Sequence, residues 1–426
     1  MTIVITGAGY VGLPLAIALA KYHFVICYDV NKKRIEELIK GYDKNKQHFK
    51  KEILQKKLIF TSNTDLLQKK DIYIITVPTP INSSNQPDLT MLEQASILIG
   101  KLMKKNSTII YESTTYPGCT EEFCIPLLEQ NSKLKCDKDF FVAYSPERVN
   151  PGDKVHKLNY ITKIVGANNP KVLNKVKRLY QTICKSICPV NSIKIAESAK
   201  VIENIQRDVN IALVNELSVL FHKLQIPTNE VLKAAATKWN FHYYKPGLVG
   251  GHCIGIDPYY LAYKAEQHNY FPQLILSGRR FNENMGRYIA TQASQLLSRQ
   301  NIATSKAKIA ILGFSFKENI PDHRNTKVIQ IIKELQNWKI KVEVFDNFVS
   351  AQEVKKEYGI TIRKLKDVKK KNFDAIIIAV AHKNFINKLS YYDNWFRSKN
   401  KKIMVDVKNI FLEKDLKKNN YFFFQL

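Results

Sequence analysis

The chain has 426 residues, 45% hydrophobic and 24% charged, an ordinary globular composition with length for two or three domains and a large core. Lys and Arg number 66 against 38 Asp and Glu, a formal charge of +28, but only 11 of the 66 are Arg and no short segment packs aromatics between them. The excess reads as solvated lysine faces with a field that draws in polyanions such as a dinucleotide or a sugar diphosphate, and it argues against a nucleic-acid partner.

Seven cysteines (27, 119, 124, 136, 184, 188 and 253) form no disulfide framework. No His stands at metal spacing from them, so no metal site is expected. Reduced thiols in a cytoplasm fit best. Residues 13–20 are apolar with small residues at 16, 18 and 20, but no basic region precedes them and a glycine motif interrupts the run. No stretch reaches the roughly 18 apolar residues of a spanning helix, so a soluble protein without a membrane partner is expected.

In chain order, residues 2–6 form a β-branched strand, followed at once by Gly7-Ala8-Gly9-Tyr10-Val11-Gly12, a helix pattern over 14–22 and a strand over 24–28 that ends in Asp29. Further strands are predicted over 72–77, 107–112 and 140–144, alternating with helical stretches. That alternation argues for a parallel sheet covered on both faces. From 195 to 300 the character turns helical. Residues 196–225 run without Gly or Pro, 272–299 form a second helix, and the glycine-rich segment 246–258 lies between them. Alternation then returns, with strands over 307–312, 341–345 (ending in Asp346), 374–380 and 403–407 and a helix over 327–337. The fold class expected is α/β: two Rossmann-like doubly wound parallel-sheet domains, 1–194 and 301–426, joined by a helical central domain, 195–300, with one long helix. The second α/β end reads as a degenerate repeat of the first, with Gly313 where the first has three glycines.

Gly7-x-Gly9-x-x-Gly12 is weak alone. Here it follows a strand and opens a helix, and Asp29 ends the next strand. Gly7 permits the turn, Gly9 the approach of a pyrophosphate, and Gly12 close helix packing. An acid at Asp29 takes both ribose hydroxyls and repels a 2′-phosphate, which points to NAD. An empty glycine turn is the bland alternative. Thr79, in Val77-Pro78-Thr79-Pro80, and Thr114, in Glu112-Ser113-Thr114, stand at strand ends, where ligands of open α/β sheets sit. Ser145-Pro146-Glu147-Arg148 offers a base or water-orienting group in Glu147 and a clamp in Arg148, or else a surface ion pair. Lys200, Asn204 and Arg207 share one helix face and suit an oxyanion or phosphate, though solvent-facing stripes have the same spacing. Cys253, within Gly250-Gly251-His252-Cys253-Ile254-Gly255-Ile256-Asp257-Pro258, has small neighbours that leave a thiol open to a ligand. A nucleophile and a buried thiol weigh nearly equally there. Lys317 follows a strand end, where it suits a second anion.

Together GAGYVGLPLA, YDVNKKRIEEL, TVPTP, ESTTYPGCTEE, YSPERVNPG, AKVIENIQRD, GLVGGHCIGIDPYYL and GFSFKENIPDHRNT resemble the UDP-glucose/GDP-mannose dehydrogenase family in order over nearly the whole chain. Glu112 and the Gly-His-Cys-Ile-Gly-Ile-Asp run are similar to the branch acting on UDP-N-acetylhexosamines. The resemblance implies NAD-dependent four-electron oxidation of a sugar C6 alcohol to a uronate for surface polysaccharide synthesis. UDP-GlcNAc is the first expected substrate and UDP-GalNAc the second, with UDP-glucose or UDP-ManNAc as alternatives. It implies Cys253 as nucleophile, Lys200 and Asn204 at the reacting oxygen, and Asp257 or Glu147 activating water that Thr114 holds. It further implies Val11, Asp29, Arg34, Thr79, Thr114 and Arg324 as NAD contacts. Implied substrate contacts are Arg148, Val149, Arg207, Gly250, Phe316, Lys317 and Lys408, with Lys200 and Asn204. A homodimer through the central helix is implied as well. The rival activities are a two-electron hydroxyacid dehydrogenase, which needs no cysteine, and an inactive nucleotide-binding scaffold.

Overall fold

The computed structural model describes residues 1–44, 48–149, 158–251, 253–368, 372–386 and 388–426. His252, Asn150-Pro151-Gly152 and Lys369-Lys370-Lys371 lie outside them. The described residues form two compact units. One comprises Met1–Asn204 with Ile256–Phe271, the other Ile205–Gly255 with Pro272–Leu426.

The first unit is built on an eight-stranded sheet of β1 (Thr2–Thr6), β2 (Phe24–Tyr28), β3 (Leu58–Thr61), β4 (Ile72–Ile75), β5 (Thr108–Tyr111), β6 (Phe141–Tyr144), β7 (Thr162–Gly166) and β8 (Ser186–Val190). Their spatial order is β3-β2-β1-β4-β5-β6-β7-β8. The first six strands follow the doubly wound order and are mutually parallel. β7 joins β6 antiparallel at Tyr144↔Gly166 and carries β8 parallel beside it. Successive side chains leave a strand on opposite faces, so Ile3 and Ile5 enter one core while Val4 enters the other. Such strands read as continuous apolar runs because both faces are covered.

The second unit repeats the plan with β9 (Lys308–Leu312), β10 (Lys341–Phe345), β11 (Ile362–Arg363), β12 (Ala375–Ile378), β13 (Lys402–Asp406) and β14 (Tyr421–Gln425). Their order is β11-β10-β9-β12-β13-β14, all parallel. Two long helices, Ile193–Lys223 and Gln273–Arg299, account for most of the helical middle of the chain.

The repeat holds at the level of single hydrogen bonds. The Gly7 N–H donates to the Tyr28 carbonyl, and the Gly313 N–H to that of Phe345, both at 2.8 Å. Both glycines adopt left-handed φ, +103° and +92°. The Ala8 N–H donates to Asp29 Oδ2 and the Phe314 N–H to Asp346 Oδ2, both at 2.7 Å. The acid that ends the second strand therefore ties down the first turn in each unit.

The first helix runs Gly12–Ala20, two residues earlier at each end than its apolar pattern suggests. The cause is steric. A Cβ on Gly12 would stand 1.8 Å from the Gly7 carbonyl oxygen and 2.5 Å from Thr76 Oγ1, so only glycine lets the helix start directly against the turn. β3, β7, β8, β11 and β14 escape the sequence reading. β8 is an exposed edge strand carrying Pro189, and β7 carries Lys163 within its buried run. Gly12→Ala is expected to lower unfolding free energy by about 1–3 kcal/mol by overpacking and to weaken dinucleotide binding. Urea denaturation and NAD titration measure both, and an unchanged midpoint with unchanged affinity would show that the turn relaxes freely.

Candidate active site

The glycine turn is built to receive a dinucleotide. Among the described residues, its two chain neighbours aside, no atom comes within 4 Å of where a Gly9 Cβ would lie, so the backbone there is open to a ligand. Val11 precedes the Gly12–Ala20 helix, whose N-terminal N–H groups face that opening. Asp29 accepts from Ala8 N at 2.7 Å and Asn31 N at 2.8 Å, is partly exposed, and keeps lone pairs for hydroxyls. Arg34 is buried under the turn. Its Nε donates to the Ala8 carbonyl at 3.1 Å and its Nη2 pairs with Asp43 at 2.8 Å. Its Nη1 is buried with no hydrogen-bond partner among the described residues. An open cradle, a half-exposed acid and an orphaned guanidinium nitrogen together fit NAD.

Beyond β4 and β5 two predicted contacts meet, as the Thr79 hydroxyl donates to the Thr114 carbonyl at 2.7 Å. Tyr260 donates to the Thr79 carbonyl at 2.8 Å, so the helix that Asp257 opens props the same loop. Residues 115–120 hang on Glu197, whose buried carboxylate accepts from Thr115 Oγ1, Gly118 N, Thr120 N and Thr120 Oγ1 at 2.6–3.1 Å. Burial pushes Glu197 up to about 7 against the pull of those donors.

Lys200 and Asn204 follow Glu197 on the same helix face. Asn204 Nδ2 donates to Asp257 Oδ2 at 2.5 Å. Burial pushes Asp257 up to about 6, while the Lys200 ammonium and the Asn204 amide pull it down. A carboxylate, a lysine and an amide thus form one group, with the carboxylate poised near neutrality. Arg148 pairs with Glu203 at 2.7 Å and donates to the Thr162 carbonyl at 2.6 Å. Glu147 caps its own turn by accepting from the backbone N–H groups of Arg148 and Val149.

Beneath that turn lies an ion pair the sequence does not announce. Lys163 Nζ stands 3.0 Å from Glu112 Oε2 and reaches the carbonyls of Ser145 and Pro146 at 3.4 and 3.2 Å. Both side chains are 1% exposed or less, and Tyr180 donates to the other Glu112 oxygen. Burial pushes the Lys163 ammonium down, and the carboxylates of Glu112 and Glu147 outweigh it and hold it charged. Glu112 therefore faces the core.

In the second unit, the glycine-rich segment is laid against the turn after β9. A Cβ on Gly251 would stand 2.9 Å from the Phe316 ring, and one on Gly250 2.8 Å from the Asn325 carbonyl. Asn325 Nδ2 donates to the Gly251 carbonyl at 3.3 Å. Asn215 grips both polar atoms of Gly247, accepting at 2.7 Å and donating at 3.0 Å, and also donates to Asn282 Oδ1 at 2.8 Å. Asn282 in turn donates to Asp208, which pairs with the buried Arg279. On this fixed backbone Cys253 is exposed, whereas Cys27, Cys119, Cys124 and Cys184 are buried. Burial pushes Cys27 up to about 12 and Cys184 up to about 11, which makes both poor thiolates. Lys408 pairs with Glu318 at 3.1 Å, and Arg324 with Asp322 at 2.6 Å. Lys317 is half-buried and Arg207 exposed.

Glu197, Lys163, Arg279 and Asn215 were not picked out from sequence. Glu197 carried a legible signal, as it stands three residues before Lys200 and seven before Asn204 on the same helix face.

An open dinucleotide turn in one doubly wound unit, and a cysteine loop packed on a second such unit, define an NAD-dependent dehydrogenase with two nucleotide-type domains. The comparisons agree. Residues 1–184 match the UDP-glucose/GDP-mannose dehydrogenase family NAD binding domain, 194–284 its central domain and 310–413 its UDP binding domain. The UDP-N-acetyl-D-glucosamine 6-dehydrogenase of Salmonella typhi is 47% identical over 96% of both chains. That of Pseudomonas aeruginosa is 48% identical over 91% of this chain and 92% of that protein. The solved structure of the UDP-D-ManNAc dehydrogenase of Pyrococcus horikoshii superposes with a TM-score of 0.90 at 32% identity, covering 100% of this chain and 99% of that one. The chain belongs to the UDP-glucose/GDP-mannose dehydrogenase family.

Removing one partner of a buried ion pair leaves the other charge uncompensated. Lys163→Met is therefore expected to cost about 3–5 kcal/mol, read as a lower denaturation midpoint. A loss below about 1 kcal/mol would place Glu112 in solvent contact instead.

Proposed function

We propose that this protein oxidises the C6 alcohol of a UDP-N-acetylhexosamine, UDP-GlcNAc first and UDP-GalNAc second, to the uronate, for surface polysaccharide synthesis in the cytoplasm. The observation that carries the reading is Asp257, a buried carboxylate gripped by Asn204 beside Lys200, four residues after the exposed thiol of Cys253. The identity to two UDP-N-acetyl-D-glucosamine 6-dehydrogenases supports the choice of sugar. In this reading residues 1–194 hold NAD, 195–300 carry the catalytic lysine and cysteine, and 301–426 hold the UDP group.

NAD supplies the oxidising power for both two-electron steps. Lys200 and Asn204 bind the C6 oxygen, stabilise its charge and manage its proton as the alcohol becomes an aldehyde. The Cys253 thiolate adds to the aldehyde carbon to give a thiohemiacetal, which keeps the aldehyde from escaping. Its oxidation gives a thioester. Water, deprotonated by Asp257 or Glu147 and held by Thr114, adds to the thioester and expels the thiolate, leaving a carboxylate. Arg148, Val149, Arg207, Gly250, Phe316, Lys317 and Lys408 bind the sugar nucleotide, and Val11, Asp29, Arg34, Thr79 and Arg324 line the NAD site. The rival two-electron dehydrogenase has no work for the exposed thiol.

We further propose a homodimer through the Ile193–Lys223 helix. Its residues Ile195, Ile202, Leu213 and Leu220 are 47–54% exposed. At about 100° per residue they line one stripe, and such a stripe calls for cover.

With purified protein, two NADH are expected per UDP-GlcNAc consumed, against one for a two-electron enzyme. Cys253→Ala is expected to abolish uronate formation, with carboxylate measured by mass spectrometry. A variant making uronate at the normal rate would sink the thioester route, and a panel with UDP-GalNAc, UDP-ManNAc, UDP-glucose and GDP-mannose ranks the sugars. Leu213→Glu is expected to convert a dimer to monomer in analytical ultracentrifugation, and an unchanged sedimentation coefficient would refute the helix interface.

A further inference from the structure

In the second unit, His382 joins the two turns at the carboxyl ends of β9 and β12. Its ring is fully buried and stacks on Phe348 with centroids 4.5 Å apart. Nδ1 lies 2.8 Å from the Asn319 backbone N–H, which donates to it. Nδ1 must therefore carry the lone pair, and the proton sits on Nε2. The Nε2–H is shared between Asp346 Oδ2 and Ser315 Oγ, each 3.0 Å away. The Ser315 hydroxyl is committed to the Lys317 carbonyl at 2.8 Å, so toward His382 it accepts. Asn319 Oδ1 in turn accepts from the Lys383 N–H at 2.9 Å.

Ser, His and Asp together suggest a hydrolytic triad, and the geometry excludes one. Serine and aspartate share one ring nitrogen, a backbone N–H fills the other, and Ser315 is 0% exposed. The network instead ties residues 314–319 down through the Phe314 and Ser315 N–H groups on Asp346, the Lys317 carbonyl on Ser315 and the Asn319 N–H on His382, beside the Phe316 N–H on the Asp322 carbonyl at 3.0 Å. Phe316 and Lys317 lie within that segment.

We propose that His382 is a positioning residue for nucleotide recognition: by accepting from the Asn319 N–H and donating to Asp346 it fixes the backbone that presents Phe316 and Lys317 to the diphosphate of the substrate. This rests on the reading of Phe316 and Lys317 as substrate contacts. The inference is specific to one ring atom, because Nδ1 is the acceptor of the Asn319 backbone N–H, while the Lys383 N–H holds only the Asn319 side chain.

Two substitutions separate the atoms. His382→Asn places an amide oxygen where Nδ1 stood and keeps an acceptor for Asn319. His382→Gln keeps a donor toward Asp346 and removes that acceptor. Full-length variants are assayed for NADH production, for the KM of each substrate and for UDP binding by calorimetry. His382→Gln is expected to raise the UDP-sugar KM and the UDP dissociation constant about tenfold, with kcat and the NAD KM within about twofold of wild type. His382→Asn is expected to stay within about threefold of wild type. An unchanged KM and UDP affinity in a folded His382→Gln overturns the proposal, and so do equal losses in both variants that also move kcat and the NAD KM. Lys317→Ala is the control on the underlying reading. If it weakens UDP binding while His382→Gln does not, only the positioning role fails; if it leaves UDP binding unchanged, the assignment of the loop fails and the proposal with it. Should His382→Gln not fold, Ser315→Ala, which removes the link to the Lys317 carbonyl and one of the two acceptors of the His382 Nε2–H while leaving Nδ1 and Asp346 in place, carries the test. A roughly threefold rise in UDP-sugar KM supports the proposal, and no rise overturns it.

Discussion

Much of the site depends on burying a polar stripe along one helix. In the Ile193–Lys223 helix, Glu197, Lys200, Asp208 and Asn215 are 8% exposed or less. At about 100° per residue they and Asn204 fall within one narrow sector. The exposed Ile195, Ile202, Leu213 and Leu220 lie opposite. This reverses the usual amphipathic helix. An amide out of water costs of order 2–7 kcal/mol unless it is hydrogen-bonded, and an ionised carboxylate costs far more unless it is paired. The stripe is tolerable only if its partners are held in place: the 115–120 turn on Glu197, Asp257 on Asn204, Arg279 and Asn282 on Asp208, and the Gly247 backbone on Asn215. The same requirement that makes burial affordable fixes the loops on which the reactive residues sit.

A second constraint acts at the end of the second strand in each sheet. Asp29 and Asp346 bind the same two turns through the same atoms, yet their surroundings diverge. Asp29 is half-exposed and accepts two backbone N–H groups. Asp346 is 1% exposed and accepts from Phe314, Ser315, Phe348 and Val349 as well as His382. Burial pushes Asp346 up, and the His382 bond with the backbone donors outweighs it and holds it below the usual carboxylate range. An acid so occupied has little left for ribose hydroxyls. The acid of the second copy is thus structural where that of the first keeps lone pairs free of the turn, which agrees with its single glycine and its match to a UDP binding domain.

The strands that bear on the site were legible because central parallel strands are apolar on both faces, and the glycine turn because its steric demands are local. Cys253 stood out by its small neighbours and Lys200 with Asn204 by helical spacing, but neither pattern alone told a reactive group from a bland one; the roles expected of them came from the family resemblance. What escaped were residues whose role depends on a partner far along the chain. Lys163 looks like an intruder in an apolar strand until Glu112, 51 residues away, is placed against it. His382 looks like part of a loop until Asn319 and Asp346 are seen on its two nitrogens.

The charges follow the same logic. NAD and a UDP-sugar each bring a diphosphate, and a chain of formal charge +28 favours their approach from a distance. Close chemistry needs a base instead, and a carboxylate beside anionic ligands would be poorly placed if it were free to swing. Asp257 and Glu197 are both held in place. They are buried, so their charge is masked by dedicated donors, and burial raises them to about 6 and about 7, where a carboxylate can hold or release a proton near neutral pH. Asp257 has Lys200 and Asn204 as its partners and so belongs to the reacting group. Among the described residues Glu197 accepts from the turn of residues 115–120, and that grip keeps the turn, next to Thr114, where it is.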